Sequence, residues 1–213
     1  MIERTKGVIL RCRPLTETSL IVEWLTPDLG RLSTVAKGAR RPKSPFAGKL
    51  DLFYLAEFSF QRSRRSQLHA LREVKLQEPH RVLRRDLACL QQASYCAALV
   101  EAATEPESPL PGVYRLICDL LETIGQRPVQ CHTIFAFELR LLDELGLGPD
   151  LEAAGLSAGA RQILRMARQL DWSALPQLHP SPQQIAEINR FLRRFLAFHL
   201  GRVPDNREAA VQS

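Results

Sequence analysis

No stretch of the 213 residues approaches the ~20 consecutive apolar side chains that a bilayer-spanning helix needs. The first seven residues, Met1 to Gly7, are charged and have no apolar core behind them. That argues against a secretory signal and leads to the expectation of a cytoplasmic protein. Cysteine is sparse: Cys12, Cys89, Cys96, Cys118 and Cys131 are odd in number and include no C-x-x-C pair. A disulfide framework is therefore not expected, and the thiols read as buried apolar groups. Cys131 and His132 are the one adjacent thiol and imidazole, yet sequence neighbours on a helix point in different directions. His69, His80, His132, His179 and His199 are dispersed, with no H-x-x-x-H or mixed Cys/His ligand spacing, and the carboxylates of Asp143 and Glu144 diverge for the same helical reason. Gly38-x-x-x-x-Lys43-Ser44 has the ending of a phosphate-cradling loop, but Pro42 stands where a glycine is needed and offers no N–H. No catalytic constellation emerges, so a non-enzymatic role is expected, with no metal and no cofactor.

Charge is plentiful and unevenly placed. Residues 1–85 hold 18 Lys+Arg against 8 Asp+Glu, whereas residues 86–213 hold 11 against 15. A basic half beside an acidic one fits a protein whose first part meets a polyanion and whose second part meets something else.

The basic half reads as five short strands separated by turn residues: Val8–Cys12, Leu20–Leu25, Arg31–Ala36, Leu52–Phe60 and Leu68–Leu76. Thr26-Pro27-Asp28-Leu29-Gly30 is a strong turn signal, and Arg62 to Ser66 makes the turn of a hairpin. Five strands in so short a span suit a small closed barrel. From Asp86 the period becomes helical. Leu83, Leu87, Leu90, Ala97 and Ala98 are expected on one face, and Val113, Leu116, Ile117, Leu120, Leu121 and Ile124 form a stripe ended by Gly125. His132 to Leu145 is apolar nearly all round, as a core helix would be. Ser157 is a candidate cap, and Ser181-Pro182-x-Gln184 is a capping box that opens a last helix with Ile185, Ile188, Leu192, Phe195 and His199 on its stripe. His199 reads as a satisfied core histidine, and the tail after Gly201 as frayed. The expected fold is α+β in two domains: a five-stranded oligonucleotide-binding barrel over 1–78 and an all-helical domain over 79–213.

The most informative segment packs Lys37, Arg40, Arg41 and Lys43 into a loop that two prolines keep out of any ladder. Such a loop neutralises phosphates with strong salt dependence and little sequence preference. Arg11, Arg13, Arg31, Arg64 and Arg65 join it as candidate nucleic-acid contacts, within a wider excess that includes Arg4, Lys6, Arg62, Arg72 and Lys75. Bases need aromatic platforms. Trp24, Phe46, Phe53, Tyr54, Phe58 and Phe60 all lie in the basic half, and Phe46, set among Pro45, Ala47 and Gly48, is the best candidate for an exposed one.

These residues also carry a resemblance. Gly7-Val8-Ile9-Leu10, Glu17 to Val22 running into Thr26, Gly30-Arg31-Leu32, Val35 to Ser44, Gly48-x-Leu50 and, in the helical half, Phe137 to Leu142 with Leu145-Gly146 resemble the RecO family along nearly the whole chain. The resemblance implies an N-terminal oligonucleotide-binding fold and a C-terminal helical domain. It also implies a role in recombinational DNA repair: binding single- and double-stranded DNA, annealing strands coated with single-strand-binding protein, and working with RecR to load RecA. The acidic tail of the single-strand-binding protein is implied to dock on the helical domain, where Arg115, Arg127 and Arg140 are candidate anchors. Two features depart from the family. No cysteine follows Cys131, so the four-cysteine zinc cluster of many members is not expected. His199-Leu200 is followed by Arg202 to Arg207 in place of a Lys-Ser-Arg-like ending. A rival of another class is an RNA-binding regulator built on the same barrel.

Overall fold

The computed structural model describes residues 2–126 and 129–212. The chain divides into two compact units, one formed by Met1–Arg81 with Thr104–Arg115 and the other by Val82–Ala103 with Leu116–Ser213.

The first unit is a closed barrel of β1 (Ile2–Pro14), β2 (Leu20–Thr26), β3 (Gly30–Ala36), β4 (Leu55–Gln61) and β5 (Leu68–Glu78) in the order β1-β2-β3-β5-β4, with β4 returning to β1. All pairings are antiparallel except β3 with β5. This is the topology of the oligonucleotide-binding fold. The first strand is longer than its apolar segment suggests, because β1 serves two neighbours: Ile2–Val8 pair with β4 and Val8–Pro14 with β2. Closure demands a sharp change of direction there. A bulge between Ile9 and Arg11 supplies it, and Gly7 lets the Leu25 carbonyl approach to 2.8 Å of where a Cβ would stand.

Alternation fills the barrel from both sides. Ile9, Val22, Trp24, Leu32, Phe58, Phe60 and Leu71 point inward and are buried. Trp24 stacks on Phe58 at 4.0 Å and donates its indole N–H to Thr34 Oγ1 at 2.9 Å, so the largest core side chain has no orphaned donor. Phe46 does not stand out as a platform. It is 6% exposed and packs into this same core, since a ring between turn residues is the cheapest plug for the barrel end.

The β2–β3 turn works as its sequence promises: Thr26 Oγ1 donates to the Gly30 carbonyl and accepts from the Leu29 amide. Gly30 adopts φ +67°, and a Cβ there would fall 2.1 Å from the Ser108 carbonyl oxygen. The 104–115 excursion thus closes on the barrel, held by Arg31 donating to Thr104 and by Glu107 accepting from Arg62.

The second unit contains α1 (Leu87–Ala103), most of α2 (Pro111–Thr123), α3 (Cys131–Glu144), α4 (Ala158–Gln169), α5 (Pro182–Leu200) and α6 (Arg207–Gln212). The core helix is α3, with Ile134, Phe135, Phe137, Leu139, Leu141 and Leu142 fully buried. The α2 stripe is buried as expected. Ser157 accepts from the Ala160 amide, and Ser181 and Gln184 complete a reciprocal capping box.

Three expectations fail here. Leu87 is 69% exposed, because Leu83 lies in a separate 3₁₀ turn (Arg81–Arg84) out of phase with α1, which buries Cys89, Gln92, Ala93, Cys96, Leu99 and Val100 instead. His199 is exposed, since the buried line of α5 runs through Ile188, Leu192 and Leu196. The tail is not frayed either: it folds back as α6. There Arg207, 2% exposed, donates two hydrogen bonds to the Glu138 carboxylate at 2.7 and 2.9 Å and a third to Asn189. Tyr95 donates its hydroxyl to the same carboxylate at 2.5 Å. Burial and the adjacent carboxylate hold that phenol well above its ordinary value.

Candidate nucleic-acid interface

After β3 the chain runs through consecutive tight turns over residues 37–49. Main-chain bonds lock them: Arg41 N to Gly38 O, Ser44 N to Arg41 O, Ala47 N to Ser44 O and Lys49 N to Phe46 O, all between 3.0 and 3.1 Å. The loop is also pinned to the β1–β2 turn, where the Arg40 amide donates to the Thr18 carbonyl at 3.0 Å. With the backbone satisfied internally, the side chains of Lys37, Arg40, Arg41 and Lys43 all point to solvent and are exposed. None of the four makes an ion pair among the described residues, and no acid occurs between Lys37 and Leu50. Arg40 alone has an internal contact, a long 3.4 Å bond to the Thr16 carbonyl. Four positive charges thus stand together without neutralisation, on a frame that costs little to order when a polyanion arrives.

Strand register says which other cations join them. Pro14 pairs with Leu20, and Leu20 with Ala36, so the C-terminal end of β1 lies beside the start of the basic loop. Arg11 and Arg13 stand on the outward face of that end, flanking the inward Cys12, and both are exposed. Arg13 lies 3.6 Å from Glu23. Arg64 and Arg65 are exposed in the β4–β5 hairpin, which adjoins the other end of β1, since Ile2 pairs with Gln61. Arg31 belongs to a different class. Its guanidinium donates to Thr104 Oγ1 at 2.9 Å and to the Thr104 carbonyl at 2.6 Å, so it fastens a segment of the barrel unit and is not presented to a ligand. Arg62 is likewise consumed between Glu3 and Glu107, which raise its pKa.

A second basic feature was not legible as a run. A groove of about 710 Å³ at β1, β4 and β5 is rimmed by Arg4, Lys6, Lys49, Arg72 and Lys75, and the core side chains Phe46, Phe58 and Val74 reach its lining. Lys49 stands alone in sequence, so only the fold brings it to the others. Glu57, Glu73 and Asp28 share this rim, and Arg4 lies 3.6 Å from Glu73. The groove is therefore partly neutralised where the loop is not.

The candidate anchors of the helical half fare differently. Arg115 is exposed. Arg127 lies outside the described residues. Arg140 donates to the carbonyls of Ala167 and Leu170 and lies 4.4 Å from the centre of the Trp172 ring, so it serves the C-terminal end of α4. Burial lowers its pKa.

Nothing here favours nucleophilic chemistry. Burial pushes the Cys12 thiol up to about 12 and Cys89 to about 11, and raises Cys131 as well. Among the described residues no group of His, Cys, Asp and Glu is placed to hold a metal ion, and no helix is long and apolar enough to cross a membrane.

Two family models and several known proteins match the chain. Residues 1–80 match the family model described as Recombination protein O N terminal, and residues 84–155 match Recombination protein O C terminal. A DNA repair protein RecO from Rhodopirellula baltica is 34% identical over 143 residues, which cover 67% of this chain and 53% of that protein. The DNA repair protein RecO of Bacillus pumilus is 24% identical over 227 residues, covering 92% of this chain and 88% of that protein. That of Alkaliphilus metalliredigens is 25% identical over 240 residues, 97% of each. The match thus spans about half of the first relative and nearly all of the other two.

Proposed function

Because the chain belongs to the RecO family of DNA repair proteins, we propose that its barrel is a sequence-blind clamp for DNA strands and that its work is to anneal complementary strands coated with single-strand-binding protein. The observation that carries this reading is the set of four exposed, unpaired cations at Lys37, Arg40, Arg41 and Lys43 on a loop whose backbone is already ordered. Annealing needs no bond to be made or broken in the DNA. A cationic surface releases counterions from two strands at once and weakens the repulsion between them, which brings them close enough to pair. Arg11 and Arg13 extend the loop along β1, and Arg64 and Arg65 add a separate contact on the hairpin.

Passing the annealed or cleared strand on, with RecR, to RecA loading is the second part of the role, and the acidic tail of single-strand-binding protein is the partner assigned to the helical unit. Of the candidate anchors, Arg140 already serves Ala167 and Leu170, and Arg115, though exposed, ends the 104–115 segment of the barrel unit, so neither stands ready on the helical unit for that carboxylate. The rival RNA-binding reading has no support among the matched relatives reported above, each of which is named for DNA repair.

A fluorescence annealing assay on complementary strands coated with single-strand-binding protein tests the proposal. The wild-type chain is expected to accelerate pairing, and Arg40→Glu with Arg41→Glu to abolish most of the acceleration for every sequence alike. Wild-type rates from the charge-reversed chain, with its circular dichroism unchanged, would remove the loop from the mechanism.

A further inference from the structure

The barrel has cations, but among its described residues no aromatic side chain is exposed, and Tyr54 alone is half-buried. Trp24, Phe46, Phe53, Phe58 and Phe60 are all at most 6% exposed. On α5 both kinds of group come together. Phe191, Phe195 and His199 follow one another along the helix at 5.8 and 4.3 Å between ring centres, and Phe198 packs edge-on to His199 at 5.0 Å. Phe198 is 83% exposed. These rings line a groove of about 520 Å³ flanked by Arg190 and Arg194, both exposed and without an ion pair among the described residues. Glu187, the one acid of α5, also lines this groove; it accepts from the amide and hydroxyl of Ser157 at 2.6 and 2.7 Å and interacts electrostatically with Arg190. A single exposed phenylalanine is ordinary, but four adjoining rings beside two exposed guanidiniums, in a half of the chain with an acidic balance, are not.

We propose that this outer face of α5 is a second contact for single-stranded DNA, in which Phe195, Phe198 and His199 stack bases and Arg190 and Arg194 hold phosphates. At 1.5 Å per residue, Phe191 to Phe198 spans roughly 10 Å of helix, a surface on which a short run of bases can stack. Arg190 and Arg194, four residues apart, run parallel to the rings on one side of the helix. Stacking on rings accepts every base, so the surface shares the barrel's indifference to sequence. An acidic peptide would also welcome the arginines. It would call for one closed apolar pocket at its anchor, however, whereas Phe198 stands open to solvent. This site is distinct from the barrel loop and does not depend on it.

The test uses the full chain and a fluorescein-labelled oligo(dT) followed by anisotropy. Phe198→Ala is expected to weaken binding at least about fivefold, and Arg190→Gln with Arg194→Gln to do the same with a shallower salt slope. Phe198 and both arginines are exposed, so these chains should keep the wild-type circular dichroism. In a chain already carrying Arg40→Glu and Arg41→Glu, residual binding is expected to persist and to disappear when Phe198→Ala is added. Oligo(dT) affinities within twofold of wild type in the α5 variants would overturn the proposal. So would variants that bind oligo(dT) normally but lose an acidic peptide, since that outcome assigns the face to a protein partner. Failure of the barrel reading is read separately, as normal annealing by the Arg40 and Arg41 variant.

Discussion

Replacing Arg40 and Arg41 by glutamine deletes two charges while leaving the turns of the loop intact, because its backbone bonds do not use those guanidiniums. Each phosphate neutralised on a single strand contributes about −0.7 to the slope of log K against log salt. Four loop cations, none diverted to an acid, thus contribute about −2.8, equivalent to roughly a 50-fold loss of affinity between 50 and 200 mM salt. The double variant should keep about −1.4 of that share, roughly a sevenfold loss over the same range. The measured slope of the whole chain will be steeper, since other cations add to it, so the quantity to compare is the change of about 1.4 between the two chains. Fluorescence titration of several unrelated oligonucleotides at stepped salt concentrations supplies it. Arg31→Gln is the internal control: its guanidinium is bonded to Thr104, so the slope should stay at the wild-type value while the 104–115 segment loosens. An unchanged slope in the Arg40 and Arg41 variant, or a change limited to certain sequences, would refute the assignment of the loop to phosphates.

Three further outcomes concern stability. Arg207→Met leaves the Glu138 carboxylate buried with Tyr95 as its remaining side-chain donor in the present structure, and should cost about 3–5 kcal/mol in urea melts followed by helical circular dichroism. Adding Glu138→Leu should recover part of that loss, and a single variant no worse than the double would show that the pair is unimportant. Gly30→Ala forces a Cβ onto the Ser108 carbonyl at a left-handed residue, so limited proteolysis should find residues 104–110 newly cleavable; an unaltered digest would contradict the close approach. Burial holds His132 below the ordinary imidazole value, so the unfolded chain takes up its proton first and stability should fall as pH drops below about 6.5. His132→Asn should flatten that dependence in melts across pH 7 to 5, and an equal slope in both chains would assign it elsewhere.

The barrel was legible where burial alternates and turns have their own chemistry, as at Thr26 to Gly30. It was not legible over Ile2–Gly7, whose polar residues form a strand because β4 lies beside them. Phe46 read as a loop residue and is one; that a ring in a loop plugs the barrel end is tertiary information. The basic loop needed no structure to be found, since its charges are contiguous. Lys49 did, as did the demotion of Arg31 and Arg140, because sequence shows a charge but not the carbonyl that consumes it. On α5 the capping box at Ser181 was local and clear. The facing of His199 depended on which of two adjacent apolar lines the unit buries, and α3 and α4 decide that. The tail looked polar and therefore loose, although Arg207 was the residue whose pairing with Glu138, 69 positions away, orders it.

The pairing of Glu138 with Arg207 also bears on how the chain is made. A ribosome releases the barrel strands first, and their partners all lie within residues 1–81 and 104–115. The helical unit cannot settle in the same sequential way, because a carboxylate on its central helix waits for a guanidinium that is synthesised 69 residues later. Glu138 and Arg207 can meet only once the last helix has been synthesised, so the barrel unit has all its partners before the helical unit does.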